Sequence, residues 1–142
     1  MNPNYQEAWF AIPPDWRELT DARYLPADLQ ANWGVDAFDV DELRQLTDGT
    51  GVTVGVVDTG VDDRHPDLTN VVAVRDFTGS PRGAGDAVGH GTHVTGTIGS
   101  TNPRMGMAPG VKLVHGKGLG DGGSGAGTWI ANAVRWCIDQ GA

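Results

Sequence analysis

Cysteine is almost missing: Cys137 is the sole one in 142 residues, so no disulfide can form within the chain, and small disulfide-stapled architectures are excluded. Basic residues are also few. Ten Lys and Arg stand against 18 Asp and Glu, a formal net charge of −8, with no basic run to follow a phosphate backbone or an anionic membrane. Nucleic acid is therefore not an expected partner, and the acidic balance speaks to solubility rather than to a ligand. Long apolar runs are absent as well. Nothing approaches the roughly 20 apolar residues of a membrane span, and MNPNYQEAWF at the start lacks a signal-peptide core, so no membrane partner is expected. The expected location is cytoplasmic or within a larger assembly. What is present is ordinary: 39% hydrophobic and 20% charged residues suit a folded chain with one core.

Residues 1–38 read as an N-terminal arm in which Trp9, Phe10, Trp16, Tyr24, Trp33 and Phe38 are spread among Pro13, Pro14 and Pro26. The proline pair forbids a regular helix, and the aromatics need a surface to pack on. Residues 39–142 form the second part. Asp39 to Gly49 has a capping acid, Val40, Leu43 and Leu46 at helical spacing and a glycine stop, which predicts a short helix. The β-branched run Val52–Val57 predicts a strand buried on both faces, ending at Asp58-Thr-Gly. Residues 79–89 read as a loop, 90–99 as a helix and 111–114 as a second strand. Residues 128–140 form a helix that places Trp129, Ala133, Trp136 and Cys137 on one face. This alternation predicts an α/β fold, a partial doubly wound parallel sheet with helices on both faces.

Asp58 closes a buried strand, and its carboxylate is expected at the carboxyl edge of the sheet, where α/β folds place their sites. Taken alone it reads first as a strand-end aspartate accepting backbone N–H bonds. His90 opens a helix after a glycine-rich loop. A helix start disfavours the protonated ring, which would lower its pKa and keep it a neutral base, although a packed or capping histidine fits the same position. His90 and His93 with His65 or Asp62 are a weaker metal alternative, since no acid follows His90 as in the HExxH zinc proteases.

The combination is more specific than its parts. VGVVDTGVDDRHPDL (residues 54–68), GHGTHVTGTIG (89–99) and MGMAPGVKL (105–113) resemble the subtilisin-like serine protease family over roughly residues 33 to 142. The first two blocks are similar to its aspartate and histidine signatures, in the family's order and about thirty residues apart. The resemblance implies that Asp58 orients the histidine, that His90 is the general base and that His93 is structural. His65-Pro66-Asp67 is similar to the family's turn after the aspartate, which makes Asp67 a candidate calcium ligand. Calcium is the one cofactor implied, and it takes six to eight oxygens. The segment 99–106 is shorter than the family's long calcium loop. Lys117 to Gly120 with Asp121, Gly122, Gly123, Ser124 and Gly125 resembles the edge that pairs with an extended polypeptide substrate, a flexible surface loop being the bland alternative. Where the family often has valines flanking the lysine, Gly116 and Gly118 stand here, and a less stiff edge is expected.

The family's later core strand, oxyanion-hole asparagine and nucleophilic serine have no counterpart in this sequence. Ser80, Ser100 and Ser124 lack the sequence context of an activated nucleophile. Three functions follow. The chain is the Asp- and His-bearing part of a serine endopeptidase, inactive alone, whose second protein segment supplies the asparagine and serine. Alternatively it is a pseudoprotease that docks through its aromatic arm in a larger assembly, or a module that binds peptide along its glycine edge without chemistry.

Overall fold

Strand Thr53–Asp58 (β1) sets the frame, because its period-two alternation sends Val54, Val56 and Asp58 to one face and Gly55 and Val57 to the other. The computed structural model describes residues 35, 38–102 and 104–142. Ahead of β1 lies α1 (Val40–Leu46); after it come β2 (Val71–Asp76), α2 (His90–Gly99), β3 (Lys112–Lys117) and α3 (Gly127–Asp139). The three strands form one parallel sheet in the order β1-β3-β2, with Val56 beside His115 and Asp58 beside Lys117. The expected α/β fold is the one observed. The aromatic arm lies outside the described residues except for Val35, which is buried, and Phe38, which is exposed.

The two longer helices cover opposite faces. On the face of Val54 and Val56, α2 sets Val94 and Ile98 against Val56, Val111 and Leu113, a hydrophobic core cluster among the described residues. On the other face, Ala133 and Cys137 of α3 are buried, while Trp129 and Trp136 are half-covered, as the helical spacing predicts. A side chain on Gly116 would meet Ala133 Cβ at 3.0 Å, and one on Gly118 would meet Val57 Cγ1 at 2.8 Å. Both glycines therefore let the helix backbone approach the sheet. Burial raises the pKa of the Cys137 thiol, so it packs as a small apolar group.

The short helix expected after Asp39 is present, and at three places the structure departs from or adds to the sequence reading. In α1 only Val40 is buried: Leu43 is 51% and Leu46 82% exposed, and Asp39 makes no side-chain cap. A seven-residue helix presents too little surface to bury a full stripe, and it is held by the Arg44–Asp41 pair at 2.9 Å and by Arg44 donating to the Gly106 carbonyl. The second strand runs to Lys117 rather than stopping at Val114, because His115 and Lys117 find buried polar partners. Residues 71–76, VVAVRD, form a strand that the sequence reading did not assign. Replacing Gly118 with Ala is expected to lower the unfolding free energy by about 1–3 kcal/mol through overpacking against Val57 and Ile130. A urea melt would show this as a lower midpoint at unchanged slope.

Candidate active site

Asp58 belongs to the face that α2 covers, and the glycine after His90 decides how near the helix comes. A Cβ on Gly91 would run into the Gly60 carbonyl and lie 3.1 Å from Asp58 Cβ. Gly60 has φ +112°, a backbone region that favours glycine, and a side chain there would meet the Ala84 carbonyl at 2.5 Å. These two glycines let the first turn of α2 sit directly on the end of β1. The His90 ring is thereby placed with Nδ1 at 2.8 Å from Asp58 Oδ1 and 3.0 Å from Oδ2. The Asp58 side chain is 11% exposed and that of His90 63%, so the carboxylate is enclosed and the ring faces solvent.

Electrostatics then overturn one expectation. The helix start was expected to lower the His90 pKa, but it is raised: the hydrogen bond to Asp58 and that carboxylate's charge outweigh desolvation, with Asp86 adding a smaller attraction. A neutral ring donating from Nδ1 to a carboxylate has a bare Nε2, free to accept a proton.

The sequence reading missed the groups that fix this geometry. Asp86, read only as part of a loop, receives Thr92 N–H at 2.8 Å and Thr92 Oγ1–H at 2.7 Å on Oδ2, and Gly89 N–H at 2.9 Å on Oδ1. It thus supplies the cap that the left-handed Gly89 cannot. Burial pushes its pKa up, but the bonds from Thr92, Gly89 and Thr59 outweigh that and hold it at about 2. An aspartate four residues ahead of a helix that opens His-Gly-Thr was the available signal. Lys117, fully buried, donates from Nζ to the Thr59 carbonyl at 2.5 Å, the Gly85 carbonyl at 2.9 Å and Asp121 Oδ1 at 2.9 Å. It ties the end of β1 to the loop before His90 and to the glycine-rich segment.

Within that segment, Gly120 N–H donates to the Ser124 carbonyl and Gly123 N–H to the Gly120 carbonyl, so Gly122 and Gly123 lie in a closed turn. Gly122, Gly123, Ser124 and Gly125 are all exposed, and Gly125 lies against the Gly118 carbonyl. His93 is exposed on the outer side of α2. His65 Nδ1 accepts the Asp67 N–H at 3.2 Å. Asp67 directs Oδ2 to Asn102 Nδ2 at 3.2 Å and its carbonyl to Thr101, which fastens the segment after α2. Among the described residues no three His, Cys, Asp or Glu side chains converge, and a single carboxylate already bonded to an amide does not fit calcium's six to eight oxygens.

Two titrations follow. Asp58→Asn is expected to return the His90 midpoint from its raised position towards the ordinary imidazole value near 6.5, read from its ring signals by NMR. His115 is opposite in sign: burial lowers its pKa from 6.5 to about 4. The unfolded chain therefore binds a proton that the folded chain refuses as pH falls from 6.5 to about 4, and stability declines through that window by at most about 3 kcal/mol. Urea melts at pH 4.5 and pH 7 should differ less in His115→Leu than in the parent.

Residues 49–142 match the profile of the Subtilase family. Subtilisin of Bacillus sp. (strain TA39) is 38% identical over 126 residues, covering 82% of this chain and 30% of that protein. The major intracellular serine protease of Bacillus subtilis (strain 168) is 40% identical over 101 residues, covering 65% and 32%. Among solved structures, a cold adapted subtilisin-like serine proteinase superposes with a TM-score of 0.59 at 38% identity, over 68% of this chain and 34% of its own. The chain thus spans about a third of the length of these relatives. An aspartate–histidine pair on a parallel sheet, a matching profile over two thirds of the residues and identities near 40% place this chain in the subtilase family of serine proteases.

Proposed function

We infer that this chain is the aspartate- and histidine-bearing part of a subtilisin-like serine endopeptidase. The observation that carries the reading is the Nδ1 of His90 lying 2.8 Å from the enclosed carboxylate of Asp58 while the rest of the ring stays open to solvent. In this reading His90 Nε2 takes the proton of a serine Oγ as that oxygen attacks the peptide carbonyl, and later returns it to the leaving amine. Asp58 keeps the hydrogen on Nδ1 and stabilises the imidazolium in between. The raised pKa of His90 suits a base whose charged form must exist during the reaction.

A second protein segment supplies the serine and the oxyanion-hole asparagine. Supporting this, β1 pairs on one side only among the described residues, and Ile130, Val134 and Ile138 line one side of α3 with exposures of 37, 45 and 61%. An open strand edge beside a spaced apolar stripe is surface that folded proteins normally cover. The polypeptide substrate lies along Gly122, Gly123, Ser124 and Gly125, whose exposed and mostly absent side chains leave backbone within reach of an extended chain.

The test uses a fluorophosphonate, which labels only activated serines, on native-source material, with intact mass locating the adduct. An adduct on the polypeptide carrying the asparagine–serine segment, lost in His90→Ala, is the expected result. The loss should be on the order of 10⁶ in turnover, the magnitude measured in subtilisin itself when its histidine alone is removed. Material that carries this sequence, is folded and takes no label would mark Asp58 and His90 as remnants in a binding or structural module.

A further inference from the structure

His115 occupies the middle of β3, flanked by Val56 and Val74, and none of it reaches solvent. Its Nδ1 lies 3.0 Å from Thr95 Oγ1, and its Nε2 is buried without a hydrogen-bond partner. A buried polar atom left without a partner is costly, so an apolar residue would serve the core better unless the ring does something else. The direction of its one bond follows from proton inventory. Thr95 Oγ1 lies 2.6 Å from the Gly91 carbonyl, which can only accept, so the single hydroxyl proton goes there. His115 must then donate from Nδ1, leaving Nε2 as the bare nitrogen.

From Thr95 the bonds run on without a break. Gly91 N–H donates to Thr59 Oγ1 at 3.0 Å, and Thr59 Oγ1 donates to Asp86 Oδ1 at 2.9 Å. Thr59 N–H donates to Asp58 Oδ1 at 2.7 Å, the same oxygen that holds His90. We propose that His115 is a positioning residue for His90: its Nδ1–H anchors Thr95, and through Thr95 the Gly91 turn of α2 and the end of β1, so that ring and carboxylate stay in register. The proposal rests on the reading of Asp58 and His90 as a catalytic pair. It requires the neutral ring, since a second N–H on His115 would have no acceptor. The charged groups facing the ring are Asp58 on β1, Asp86 in the loop before α2 and Lys117 on β3. Thr95 is the contact from α2.

The experiment is ¹⁵N NMR of the histidine rings in the full chain, which reports tautomer and titration without needing turnover. The parent is expected to show His115 protonated on Nδ1 and His90 titrating above its ordinary value. His115→Asn keeps an N–H donor at the position of Nδ1, and His115→Leu has the same branching without it. His90 in the Asn variant should titrate as in the parent, whereas in the Leu variant its midpoint should fall by roughly half a unit or more. Thr95→Val, which removes the hydroxyl and leaves His115 in place, should behave like Leu and decides the matter if the Leu variant does not fold. A folded Leu or Val variant with a parental His90 titration overturns the role of His115 alone, as does a parental His115 protonated on Nε2. A parent in which His90 titrates at its ordinary value overturns the catalytic pair and this proposal together.

Discussion

The close approach of α2 to the end of β1 is the contact on which the site depends. Asp58 and His90 are 32 residues apart, and their meeting needs a helix start seated on a strand end with almost no space between the backbones. Gly91 and Gly60 provide that by having no side chains where any Cβ would strike a carbonyl. Such proximity leaves helix-end N–H groups facing protein instead of water, and each must be satisfied there. Thr59 takes that of Gly91, Asp86 that of Thr92, and the Gly89 carbonyl that of His93. The polar residues around the pair are thus a consequence of the packing, and they also hold the pair in place.

Lys117 extends the same logic outward. A buried amine is tolerable only with several good acceptors, and here each acceptor comes from a different segment: the end of β1, the loop leading to His90, and Asp121 at the start of the glycine-rich turn. Ser80 Oγ also bonds Asp121, at 3.0 Å, so the loop and the turn are fastened twice. The glycine-rich surface is therefore built on the same buried atoms as the Asp58–His90 pair.

Much of this was legible in the sequence, and the failures have a pattern. The strand at Val52–Val57, the helix at His90–Gly99, the buried face of α3 and the pair Asp58–His90 all announce themselves by periodicity or by motif. Those signals record what a residue does along its own element. The end of β3 was lost because His115 and Lys117 look like surface residues until Thr95, Thr59 and Gly85 are brought to them from elsewhere. Asp86 looked like loop filler for the same reason. That Gly116 and Gly118 pack against Ala133, Val57 and Ile130 was not legible, because a glycine shows its permissiveness in sequence but not what presses against it. The direction of the His90 shift was misjudged because a helix start is a diffuse partial charge that fades within a turn, whereas a carboxylate at 2.8 Å is a full one.

His90 and His115 show how one set of carboxylates drives two imidazoles in opposite directions. Asp58 and Asp86 act on both rings, and for both their effect is to raise the pKa. For His90, exposed to solvent and bonded directly to Asp58, little desolvation opposes them, and the shift is upward. For His115, enclosed and bonded only to a hydroxyl, desolvation exceeds the attraction, and the pKa falls to about 4. Near neutral pH the outer ring is therefore the one ready to gain a proton and the inner one is held without its second. In the proposed role His90 takes up a proton repeatedly, and such a base needs neighbours that do not change charge as it does so. Burial gives that constancy to His115, just as the bonds from Thr92, Gly89 and Thr59 give it to Asp86.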